Sequence, residues 1–498
     1  MKHISLIFVM AWAWILPGTY AQLDTEALAE LDAYVNQACE DWRVPGLSMT
    51  VVQDGDVVYQ TNYGVRAVGG QEVNAQTIFC IGSTTKAMTA MAMAMLVDDG
   101  LLSWDDMVVD HLPDFQLYDP HITREMRVRD LFTHNLGIGN ADLLWTTLEL
   151  PSDEILQRMR YLEPSYTLRG GYTYQNIMYL AAGEIIERIS GSSWASFIDR
   201  RIFQPLGMDR SYPTRAASLT ERNRSTPHFV VDGKIQVITD LDADQIAPAG
   251  AVWSCIEDMA KWVQFLLNDG MVNGERLVSA RNFAELFTPQ IIIPKEMFYP
   301  THRHTNPHWT TYGLGWFQHD YQGRVVQFHT GSLPGTIAII GLIPEEELGV
   351  YVLSNLDHTE VRHALMYKVF DLAAGHMNGP DWSALFQDMY EGIRTRRDTR
   401  NAQRAQRRLA GTTPRLDLES YAGDYYHDYL GTVSVTADDG RLTMFLGTRS
   451  LPLEHWQHDT FRWKLASWSG DLFVSFEIDA EGRLSMSLFG RDLRKITD

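Results

Sequence analysis

Apolar positions recur at helical spacing from Thr25 to Asp41, with Leu28, Leu31, Val35 and Ala38 on one face ahead of Trp42, and Pro45-Gly46 closes the segment. An amphipathic surface helix is predicted there. Leu47 to Tyr63 holds two β-rich runs joined at Asp54-Gly55, a strong hairpin signal, so the helix leads into antiparallel strands. Phe79 to Gly100 follows neither period. From Ala87 to Val97 it is nearly all apolar, as in a helix buried on every side, and Asp98, Asp99 and Gly100 restore polarity and stop it. Short helical pieces fill Leu101 to Gly137 around Pro113 and Pro120, and Ala141 to Leu168 alternates helix and loop, with Trp145 and Tyr166 as candidate pocket walls.

Gly170-Gly171 opens a loop into a helix carrying Ile177, Leu180, Ala181, Ile185 and Ile189, stopped by Gly191. Ala247 to Ser254 leads into a further helix ending at Asp269-Gly270. Gly323 to His329 reads as a strand, and Thr336–Ile343 with Val350–Ser354 as a hairpin. The early and late strands are therefore expected to share one antiparallel sheet with the helical middle inserted beside it, an α+β arrangement. After Gly379-Pro380 the pattern changes. A helical stretch ends in a basic run (Arg394 to Arg408), and Tyr421 to Asp498 returns to short alternating strands with turns at Asp438-Asp439-Gly440, Ser469-Gly470 and Glu481-Gly482, which predicts a small β-barrel or sandwich.

The chain is long enough for several domains, and a formal net charge of -21 argues against a nucleic-acid partner. The arginine run is expected to be a solvated face. Lys2, the apolar run Ile4 to Leu16 and Thr19-Tyr20-Ala21 read as a cleavable export signal over residues 1–21, which predicts a periplasmic or secreted protein without a stable membrane anchor. The remaining segments are 22–378, a helical and basic linker at 379–413, and a β domain at 414–498. Cys39, Cys80 and Cys255 make no disulfide framework; one pair is open to them, and buried free thiols are the expectation.

The chemistry begins at Ser83 and Lys86, the only Ser-x-x-Lys in the chain. Residues three apart share a helix face. An amine held in a low-dielectric pocket loses its charged form more easily and can take the proton of a neighbouring hydroxyl, while a serine at a helix start has free backbone N–H groups beside it for an oxyanion. The plainer alternative makes Ser83 an N-cap and lets Lys86 snorkel outward. Tyr174 and Asn176 are placed to point into a cleft from the loop ahead of a helix. His134 reads chiefly as a hydrogen-bonding loop group. His302, His304 and His308 lack carboxylate or cysteine neighbours at ligand spacing, so no metal and no cofactor is expected.

Ser83-Thr84-Thr85-Lys86, Tyr174-Gln175-Asn176 and His329-Thr330-Gly331, in that order, resemble the active-site triplet of the penicillin-recognising serine hydrolases, in the branch related to class C β-lactamases. The resemblance spans about residues 25 to 375, and the tail from Tyr421 is similar to the lipocalin-like β domain often appended to such hydrolases. It implies a β-lactamase/transpeptidase-like fold: an antiparallel sheet flanked by helices, a helical subdomain, and the site between them. It further implies Ser83 as the acylated nucleophile, Lys86 and Tyr174 sharing proton transfer, and Asn176, His329, Thr330 and Gly331 as substrate-binding residues. The backbone N–H groups of Ser83 and Ser332 would form the oxyanion hole. Histidine stands at 329 where β-lactamases of this branch carry a lysine, which disfavours efficient penicillin hydrolysis. A small ester, amide or peptide is the expected substrate, handled by an esterase or D-amino-acid peptidase. The β domain is expected, by analogy, to shield the site or mediate homo-oligomers. A second reading, from another class, is a non-catalytic penicillin or peptidoglycan-fragment sensor on the same fold.

Overall fold

The computed structural model describes residues 22–496, so the export signal read over residues 1–21 lies outside the described residues. Thr25–Asp41 is a single helix, N-capped by Asp24, whose side chain accepts from the Ala27 amide at 2.9 Å, and it buries Leu31, Val35 and Ala38. It feeds the antiparallel pair Gly46–Gln53 and Asp56–Gly64, turned at Asp54-Gly55, with a bulge between Val51 and Val52.

These two strands join late ones in an eight-stranded antiparallel sheet. Its order is Asp56–Gly64, Gly46–Gln53, Leu348–Ser354, Thr336–Ile343, Arg324–Leu333, Phe317–Tyr321, Thr310–Tyr312 and Ile291–Ile292. Leu47 lies opposite Ser354, so the first and last strands of this region are neighbours, one strand in from the Asp56–Gly64 edge. One face, with Met49, Val51, Ile339 and Val352, packs on the helices Thr25–Asp41 and Val361–Ala373. The opposite face, with Ala338, Ile340 and Leu353, packs with the helices Ile256–Leu267 and Thr85–Asp98. The strands read as near-continuous burial because both faces are covered.

Every residue of the helix from Thr85 to Leu96 is buried, Lys86 included, which is what its unbroken apolar run dictates. The helix Ile177–Ser190 passes close to the segment 247–250. A Cβ on Gly183 would lie 2.3 Å from Pro248 Cγ, so this approach requires glycine. Cys39, Cys80 and Cys255 are buried free thiols.

The helix Trp382–Gln406 buries only Trp382, Ser383 and Phe386 and then runs out along exposed arginines to the C-terminal unit. That unit is a closed barrel of eight strands from Gly423 to Lys495, each paired with the next and the last with the first, Tyr425 standing opposite Lys495. Alternate residues, such as Val433 and Val435, Leu442 and Met444, Phe461 and Trp463, fill its interior. The barrel docks on the main domain: Arg158 donates to the Tyr429 carbonyl at 3.1 Å, Thr448 Oγ1 donates to Glu149 at 2.7 Å, and the Phe229 and Trp468 rings lie 5.0 Å apart. Among the described residues no helix is long and apolar enough to cross a membrane.

Candidate active site

Ser83 sits in a short 3-10 turn, Gly82–Thr84, that continues into the buried helix starting at Thr85. The turn is pressed against the strand Arg324–Leu333. A Cβ on Gly331 would lie 1.8 Å from the Ile81 carbonyl oxygen and 3.1 Å from the Ser83 nitrogen, and one on Gly82 would lie 2.7 Å from the Ser332 nitrogen. Two glycines thus let the backbones at Ser83 and Ser332 come together, with Gly82 adopting a positive φ of 53°. The two amides that the resemblance implies as oxyanion donors therefore belong to backbones in close approach.

Lys86 is one turn further on, wholly buried, and its Nζ has three oxygen neighbours: Asn176 Oδ1 at 2.7 Å, the Ala249 carbonyl at 2.8 Å and Ser83 Oγ at 3.1 Å. Burial lowers the ammonium to about 7, against the opposing charge of Asp142. A neutral amine has two N–H donors and one lone pair. The two shorter contacts accept the donors, and the lone pair is left to face the Ser83 hydroxyl. Nζ also lies 4.9 Å from the Tyr174 ring centre.

Tyr174 hydrogen-bonds to Ser83, which works against burial, yet burial prevails and holds the phenol well above its usual range. At neutral pH it keeps its proton and is a donor. Asn176 is fixed from its other end, donating through Nδ2 to Asp142 Oδ1 at 2.9 Å, and the same carboxylate oxygen accepts from Trp145 Nε1 at 2.9 Å. The structure therefore brings Ser83, Lys86, Tyr174 and Asn176 into one hydrogen-bonded group.

The strand residues divide by the two-residue period. Thr330 and Ser332 line the cleft, Thr330 bonding Tyr299 and Ser332 Oγ accepting from Arg362 at 2.8 Å. His329, read from sequence as substrate-binding, is fully buried behind the cleft wall with Tyr174, Tyr312 and Phe317 around it. Its Nδ1 lies 2.7 Å from the Thr330 carbonyl and its Nε2 2.9 Å from the Tyr312 hydroxyl, so both ring nitrogens are engaged inside the protein. Burial and the nearby Lys86 charge push the imidazole down to about 3, which keeps it neutral. The physical reason for its placement is the side-chain alternation that turns position 329 away from Thr330. Gly331 acts through the space it leaves.

His134 is also buried, its Nδ1 accepting from the Gln175 amide at 3.1 Å and its ring 4.3 Å from that of Tyr174, so it braces the loop that presents Tyr174 and Asn176. His302 and His308 are engaged locally, with the Tyr299 carbonyl and with Asp320. Sequence reasoning missed Asp142, Tyr299 and Tyr312, whose partners are far along the chain, and one whole side of the cleft. The cleft, about 410 Å³, is lined by Ser83, Tyr174, Asn176, Trp145 and Leu241 from the main domain and by Arg449, Leu465, Ala466 and Trp468 from the barrel. Trp145 was legible as a pocket wall; Tyr166 instead packs under Gly171, away from the cleft lining.

The family model described as Beta-lactamase matches residues 31–374, and a domain of unknown function, DUF3471, matches residues 407–494. An unguisins hydrolase, ungD, of Aspergillus violaceofuscus is 26% identical over 475 residues, covering 87% of this chain and 82% of its own. Among solved structures, the octameric penicillin-binding protein homologue from Pyrococcus abyssi is similar with a TM-score of 0.64 at 23% identity, covering 94% of this chain and 99% of that one. A D-stereospecific amidohydrolase from Streptomyces sp. gives a TM-score of 0.55 at 21% identity over 68% of this chain and 98% of its own.

Proposed function

The chain belongs to the Beta-lactamase family, and from that premise we propose that it is a serine hydrolase that forms an acyl-enzyme on Ser83 and acts on small esters or on D-amino-acid amides and peptides. The observation that carries this reading is the coordination of Lys86 Nζ by Ser83, Asn176 and Ala249 in a fully buried site. Ser83 Oγ attacks the substrate carbonyl carbon as its proton passes to the neutral Lys86 amine. The carbonyl oxygen, now negative, is received by the Ser83 and Ser332 amides. Collapse of this intermediate breaks the bond to the leaving group, which takes a proton from the Lys86 and Tyr174 pair. Water repeats the sequence on the acyl-enzyme, releasing the acid and restoring the serine.

The names of the relatives support hydrolysis, one being an unguisins hydrolase, and the other, a D-stereospecific amidohydrolase, supports an amide bond as the target. The neutral His329 supports weak β-lactam turnover, because it offers no cation to the carboxylate of that substrate. The pattern of residues 1–21 supports export, which N-terminal sequencing of the mature protein tests by a start at Gln22.

A fluorophosphonate probe followed by peptide mapping is expected to label Ser83, and p-nitrophenyl esters are expected to give steady release after any burst. Label on another residue overturns the assignment of the nucleophile. A single stoichiometric burst with no further release would make the protein a sensor.

A further inference from the structure

One wall of the cleft belongs to the barrel, and it carries the cleft's guanidinium. Arg449 starts the strand Arg449–Gln457 just after the turn at Gly447, which has a positive φ of 59° and no room for a Cβ, since one would lie 2.4 Å from the Leu148 carbonyl oxygen. That contact fixes the turn against the loop holding Glu149. The Arg449 guanidinium then donates once to Glu149 Oε1, through Nη2, while the other oxygen of Glu149 is taken by Thr448. The ion pair is therefore single-pronged, where an arginine fork can make two parallel bonds to a carboxylate. Among the described residues the Arg449 Nε is buried and has no hydrogen-bond partner, and a buried donor left unpaired is costly. The side chain as a whole is 26% exposed, and Arg449 is among the residues that line the cleft. The same cleft is lined by Leu465 and Trp468 from the barrel, and by Leu241, Ile246 and Leu333 from the main domain.

We propose that the barrel supplies a substrate subsite in which Arg449 binds a carboxylate, flanked by an apolar or aromatic side chain held between Trp468 and the main-domain wall. A compound with that pairing is an N-acylated apolar amino acid or a peptide C-terminus. This rests on the reading of Ser83 as an acylated nucleophile and narrows its substrates to those that carry an acid beside an apolar group. Arg449 is a specificity-determining residue, not a catalytic one.

Calorimetric titration of the full-length Ser83→Ala protein with N-acetyl-phenylalanine, both enantiomers, and with the corresponding amides separates this inference from the catalytic one, because binding is read without turnover. The acid of at least one enantiomer is expected to bind about tenfold or more tighter than its amide, the range of one charge-assisted pair. Arg449→Met is expected to bring acid and amide within about twofold of each other. Arg449 also ties the barrel to Glu149, so the same comparison is made in the Glu149→Gln, Arg449→Met double variant, which leaves no carboxylate without its partner. Equal binding of acid and amide by the parent, or a preference that survives both variants, overturns the subsite. Absence of Ser83 labelling in the unsubstituted protein overturns the hydrolase reading instead and leaves the binding result standing.

Discussion

A lysine that enters a wholly apolar helix is stable only if its charge is relieved, and at Lys86 that relief is also what suits it to the proposed role of base. Below about pH 7 the ammonium has no lone pair for the Ser83 proton, and above it the amine does. Hydrolysis is therefore expected to rise with pH through an inflection near 7. Lys86→Ala is expected to lower kcat about 100-fold or more and remove that inflection, measured by steady-state kinetics on p-nitrophenyl acetate. The sign of one neighbour can be checked separately. Asp142 raises the Lys86 value against burial, so Asp142→Asn, which keeps an oxygen for Asn176, is expected to move the acid limb to lower pH. An acid limb that stays in place would remove Asp142 from the control of Lys86. The Ser-x-x-Lys spacing made this pair legible because both residues share one helix turn. Asp142 reaches Lys86 through Asn176, and nothing in the local pattern around residue 142 announces that link.

Between elements, the decisive contact is the serine turn against the strand Arg324–Leu333. Gly331→Ala puts a methyl 1.8 Å from the Ile81 carbonyl oxygen, so turn or strand must move. Overpacking of this kind costs about 1–3 kcal/mol. A urea melt is expected to show that loss together with a fall in kcat larger than any change in KM, since the displaced amides are those proposed to receive the oxyanion. Unchanged kcat would mean that the two backbones do not need this spacing. The long elements were readable: the helix Thr25–Asp41 and the hairpin at Asp54-Gly55 follow directly from apolar period and turn chemistry. The two-residue strands Phe79–Cys80 and Trp253–Ser254 were not, because a pair that short has no period to read and exists only by pairing across the fold. For the same reason the sequence shows that His329 follows a strand pattern without showing which way its ring faces.

Across the whole molecule, alternating residues and turn dipeptides made a β unit predictable as a barrel or a sandwich, and the pairing of Gly423–His427 with Arg491–Lys495 is what closes it. Where that barrel sits was not legible, because Glu149 and Arg449 are three hundred positions apart along the chain. Docking through Gly447 leads to a further expectation. Gly447→Val collides with the Leu148 carbonyl and adopts a disfavoured positive φ, so the barrel is expected to lift from the cleft. Hydrogen exchange of residues 142–150 should then speed up, and kcat/KM for bulky apolar esters should fall more than for an acetate ester. Equal effects on both esters would mean that the barrel wall takes no part in selecting them.

The barrel's seam has an evolutionary corollary. Because Arg491–Lys495 is the stave that meets Gly423–His427, a frameshift or early stop that removes only this last strand would expose raw edges on two others. Such a lesion lies far from Ser83 in sequence, yet it would both invite aggregation and dismantle the side of the cleft that the barrel provides.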